Sequence, residues 1–140
     1  MSHNYSLAVA DLHSIATARQ AELDRAYEQA MADMHAAYLR SISEAAAADP
    51  ALTHVCSVLA TGLSTRRDSD GYPIVHISDE ARALLRAARA IGLTGSVGVV
   101  LYSDCSGESG SGLPDRGVAY RAWDAAQSYR SRVSAATKSL

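Results

Sequence analysis

At 140 residues and a formal charge of −2, the chain is the size of one domain, or one domain with an extension, and its bulk charge selects no nucleic-acid partner. Phenylalanine is absent and there is one tryptophan, so alanine carries much of the apolar content and a thin core is expected. Two cysteines, Cys56 and Cys105, are too few for a disulfide framework. With no signal-like start and no apolar run of about 20 residues, the expectation is a cytoplasmic chain without a membrane span.

The first 49 residues contain neither glycine nor proline; Pro50 is the first proline and Gly62 the first glycine. Residues 6–47 therefore read as one helix, which Ser6 or Asn4 can cap. Tyr27, Met31, Met34, Tyr38, Ile42 and Ala45 step by 4, 3, 4, 4 and 3 positions. That is an 11-residue repeat, about 3.67 residues per turn, and describes a straight helix rather than a heptad supercoil. The line runs back through Leu23, Ala16, Leu12 and Tyr5, with Gln20 interrupting it. Such a helix spans roughly 60 Å, against about 37 Å for the diameter of a compact chain of this length. It needs a second surface, so a homodimer through Leu23, Tyr27, Met31, Met34, Tyr38 and Ile42 is expected. A break near His13–Thr17 is the alternative.

Asp49 and Pro50 suit the N-cap and first position of a second helix at 50–61. Leu52, Val55, Cys56 and Leu59 face inward, and Gly62 sits at C′. Residues 64–71 read as a polar loop carrying Arg66, Arg67, Asp68 and Asp70. Residues 72–77 read as a strand. Ser78 caps a third helix with Asp79 and Glu80 in its first turn; Leu84, Leu85, Ala88 and Ile91 face inward and Gly92 ends it. Residues 96–102 form a second strand, so the strand, helix and strand predict a parallel, right-handed βαβ unit. Residues 103–112 are a flexible Gly/Ser loop, and 113–117 a turn. Residues 118–136 form the last helix, with Tyr120, Trp123, Ala126 and Val133 inward.

The predicted class is α-dominated α/β: a long N-terminal helix at 1–49, then a small α/β body at 50–140. Two strands alone are marginal. A third strand hidden in a loop, helices on both faces or a second chain must complete the sheet.

Candidate chemistry is sparse. In a parallel unit, ligands gather beyond the carboxyl ends of strands, which points to Cys105 with His76 as a nucleophile–base pair. The loop lacks the spacing of a nucleophile elbow. Gly92, Gly95 and Gly98 follow a helix and enter a strand, the reverse of a dinucleotide fingerprint. No histidine or cysteine spacing suits a metal, and no cofactor is implied. The best binding signal is Arg82, Arg86 and Arg89, on one face of the third helix, with Arg66 and Arg67 upstream; arginine forks onto phosphates and carboxylates.

The expected role is a non-enzymatic interaction protein, dimeric through its first helix, with a protein or nucleoprotein partner. A bacterial or phage accessory inhibitor of a nucleic-acid-targeting complex, such as a host defence system (an anti-CRISPR-like role), fits that pattern. The alternatives are a small cysteine-dependent hydrolase or transferase using Cys105 and His76, and a dimeric DNA-binding regulator.

Overall fold

The computed structural model describes residues 2–91 and 113–140, apart from the side chain of Arg89. The strand expected at 96–102, the loop at 103–112 and Cys105 lie outside the described residues.

Helix α1, His3–Ala48, runs 46 residues without a break, roughly 70 Å at 1.5 Å per residue. Its cap is Ser2, upstream of the expected Ser6 or Asn4; the Ser2 Oγ accepts from the Tyr5 N–H at 3.1 Å. No breaker follows Ser2, so the helix takes the first capping side chain available. The C-terminal boundary is set by Pro50, which has no N–H to continue the ladder. A 3-10 turn, Pro50–Leu52, leads into α2, Thr53–Gly62. The Asp49 carboxylate accepts from the Ala51 N–H at 3.1 Å and holds that corner.

Two strands follow at once: β1, Leu63–Arg67, and β2, Pro73–Ile77. They pair antiparallel, with Leu63 opposite Ile77, Thr65 opposite Val75 and Arg67 opposite Pro73. This corrects the reading of 64–71 as a loop. Only one of the five β1 residues is a large aliphatic, so the segment shows no apolar signature. Its pairing is imposed by the strongly apolar β2 and by the turn between them. In that turn Asp68 Oδ1 accepts from the N–H groups of Asp70 and Tyr72, each at 2.9 Å. Gly71 takes a φ of +81°, a region L side chains rarely occupy. Among the described residues the sheet is this antiparallel hairpin; the second strand of the expected parallel unit falls outside them.

Helix α3, Asp79–Ala90, carries Asp79 and Glu80 in its first turn. Ser78 caps it, accepting from the Ala81 N–H at 3.2 Å. Ala81 and Leu85 are buried. Ile91, expected inward, is 72% exposed because it lies past the last helical turn. Helix α4, Pro114–Thr137, begins four residues before the expected start. Proline at its first position has φ preset for a helix and no donor to leave unpaired, so the apparent turn at 113–117 is the helix entry. Tyr120, also expected inward, is 43% exposed. The fold is α-dominated α/β.

The core gathers Tyr27, Met31, Met34, Tyr38 and Ile42 of α1 with Cys56 and Leu59 of α2, Leu63, Val75 and Ile77 of the hairpin, Ala81 and Leu85 of α3 and Ala119 of α4. Met34 and Tyr38 are fully buried. This corrects the expected dimer surface. Tyr27, Met31, Met34, Tyr38 and Ile42 are covered by the chain's own hairpin and helices, and no second copy can reach them. Leu23 is half-buried.

Helix α4 lies antiparallel along α1. Trp123 lies beside Tyr27 and Val133 beside His13 and Thr17; between them Gln20 Nε2 donates to the Ala126 carbonyl at 3.2 Å, and Arg130 meets Asp24 at 3.2 Å. Buried residues of α1 begin only at Tyr27. Before that point α1 is an arm covered along one side by α4.

Candidate functional site

The hairpin face toward α1 carries Leu63, Thr65 and Arg67. Successive strand residues point to opposite faces, so Arg66 and Arg67, adjacent in sequence, diverge. Arg67 lays its guanidinium over the Tyr27 ring, 4.5 Å from the centroid. Arg66 shares the outer face with Ser64, Ile74 and His76. On α3, Arg86 is exposed, whereas Arg82 is half-buried and already engaged by neighbouring groups. The structure thus turns Arg67 away from Arg66, and leaves Arg66 and Arg86 as exposed cations. His76 stands mid-face on the hairpin, half-buried.

A concavity lies where the hairpin tip meets α1 and α4. Three side chains converge on the tip. Tyr27 Oη donates to the Gly71 carbonyl, while Trp123 Nε1 and Gln127 Nε2 donate to the Asp70 carbonyl at 3.3 and 3.1 Å. Tyr72, Tyr120 and Trp123 pack edge to face or tilted, with ring centroids 5.2 to 5.8 Å apart, a favourable arrangement for aromatic quadrupoles. Beside this knot is a cleft of about 240 Å³ lined by Asp24, Tyr27, Glu28, Arg67, Trp123 and Arg130 among others. A shallower trough of about 410 Å³ continues along α1 and α4 past His13, Thr17, Gln20 and Val133.

Burial pushes the Tyr27 phenol above its usual pKa; the Arg67 cation opposes that shift and the Asp68 carboxylate adds to it. The phenol therefore keeps the proton it donates to Gly71. Burial alone raises the Cys56 thiol, which marks it as an inert core residue rather than a nucleophile.

No sequence motif marks the cleft, but the sequence does mark the contact between α1 and α4 beside it. Gln20 interrupts the apolar line of α1 because its amide bridges to α4: it donates to Asp24 at 3.0 Å as well as to Ala126. A polar residue in an apolar stripe marks a place where another backbone must be met.

Comparison of the chain with protein-family models, curated proteins and solved structures returns no match.

Proposed function

We propose that the chain is a non-enzymatic interaction protein, a homodimer that binds a protein or nucleoprotein partner in the cytoplasm. The observation that supports this reading is the apolar surface left outside the fold: Leu7, Leu12 and Ile15 on α1 are 51%, 53% and 63% exposed. Leu12 and Ile15, three positions apart, share one face of the helix, and exposed apolar faces mark association surfaces. Arg66 and Arg86 supply exposed forks for phosphate or carboxylate groups, and Arg82 and Arg89 stand on the same helix as Arg86. On this reading the partner is acidic, and inhibition of a nucleic-acid-targeting complex by a bacterial or phage accessory protein is the role that best fits.

The test is affinity capture from the native host with wild type and Arg66→Glu/Arg86→Glu compared side by side. The reading expects a specific captured complex that the double variant loses while its helicity is unchanged. The same captured set with both proteins would overturn the arginine surface.

A further inference from the structure

The cleft beside the hairpin tip is lined by charges of both signs. Asp24 and Glu28, four positions apart, share one face of α1. Arg67 comes from β1 and Arg130 from α4, so the charged side chains of the lining sum to zero. One opposite pair is closed: Arg130 meets Asp24 at 3.2 Å and donates to Gln127 Oε1 at 3.3 Å. The other pair is open. Among the described residues Glu28 has no hydrogen bond or ion pair, and Arg67 meets the Tyr27 ring alone. A ring contact takes up the charge of a guanidinium but leaves its N–H fork without an acceptor.

The wall around these two groups is held in place. Tyr27, Trp123 and Gln127 all donate to backbone carbonyls of the hairpin tip. Trp123 and Ala126 give the cleft an apolar side.

We propose that this cleft binds a small zwitterion of the amino-acid type, its carboxylate on Arg67, its ammonium on Glu28 and its aliphatic part against Trp123. A ligand of one sign is matched poorly here. A lone phosphate or carboxylate drawn to Arg67 would also face Asp24 and Glu28, and a lone amine drawn to Glu28 would also face Arg67 and Arg130. A ligand that carries both charges sets each against its opposite. Size narrows the class further. The cleft holds about 240 Å³, below the roughly 300–1,000 Å³ of sites that take drug-sized ligands, so a single amino acid suits it better than a nucleotide or an oligopeptide. The site is separate from the partner surface, since neither Arg66 nor Arg86 lines it.

Trp123 is the chain's one tryptophan, so its emission reports on the cleft directly. The probes are free alanine, valine, leucine, isoleucine and methionine, which do not emit themselves, each titrated into the full chain. At least one is expected to change Trp123 emission saturably. It should also raise the melting temperature, because a ligand bound only by the folded chain stabilises it. The analogues of that amino acid lacking the amino group or the carboxylate are each expected to bind at least about tenfold more weakly, as hydrogen bonds to charged groups require. Glu28→Gln and Arg67→Gln should each weaken binding by a similar factor with helical ellipticity unchanged, since both side chains are exposed. No saturable response to any of the five overturns the site. Equal binding of the analogue without its amino group overturns the zwitterion and leaves a simple anion on Arg67. Affinity unchanged in both variants places the ligand elsewhere and overturns the assignment. None of these outcomes bears on capture of a macromolecular partner through Arg66 and Arg86.

Discussion

Two glycines separate two reasons for needing no side chain. At Gly62 the space is already occupied: a Cβ there would sit 2.3 Å from Ser78 Oγ. That hydroxyl caps α3, and the Gly62 carbonyl accepts from the Ser78 N–H at 2.9 Å. At Gly71 the nearest atom to an added Cβ is Trp123 Nε1 at 3.5 Å, an ordinary contact, but φ is +81°. Gly71→Ala is therefore expected to cost about 1–2 kcal/mol from backbone strain alone. Gly62→Ala is expected to cost about 1–3 kcal/mol through overpacking, with part of that recovered by Ser78→Gly, which removes the clashing hydroxyl. Urea unfolding of the four variants (Gly62→Ala, Ser78→Gly, their combination and Gly71→Ala) decides it. A combined cost equal to the sum of the single costs would show that the clash does not set the value.

Among elements, the seam between α1 and α4 is held by packing more than by charge. The Arg130–Asp24 pair is about half exposed on both sides, and exposed ion pairs contribute only about 0–1 kcal/mol. Ala126 is 3% exposed between the helices, and its carbonyl takes the Gln20 amide. Arg130→Ala is thus expected to shift the urea midpoint little, whereas Ala126→Leu should cost about 1–3 kcal/mol by forcing the helices apart. A larger effect from Arg130→Ala would mean that charge sets the pairing. The sequence made α1, α2, α3 and most of α4 legible because helical periodicity, proline and capping residues act locally. It hid β1, whose Leu63-Ser-Thr-Arg-Arg67 run has one large apolar residue and acquires strand character only by pairing with β2. The tip cleft was equally hidden, since Tyr27, Asp70 and Trp123 are brought together by tertiary packing across more than 90 positions. Arg66 and Arg67 read as one patch in sequence, and the pleat separates them.

At the scale of the whole molecule, the length of α1 exceeds what its own domain can cover. Its apolar line is used in two ways. From Tyr27 onward it is consumed internally, where Met34 and Tyr38 retain no exposure. Before Leu23, α4 covers one side, and Leu12 and Ile15 are left in water. The proposed homodimer, made through that arm, couples association to folding, since the arm helix must be formed before two copies can meet along it. Ligand-like linkage then applies, and the second copy stabilises only the folded chain. The melting temperature is therefore expected to rise with protein concentration for wild type and to be flat for Ile15→Glu. At low concentration the two curves should converge, because a side chain 63% exposed in the single chain contributes little to that chain's own stability. Differential scanning calorimetry over a concentration series checks this. Wild-type melting that does not move with concentration would place the stability of α1 entirely within one chain, and convergence would fail if Ile15 served the monomer's packing instead.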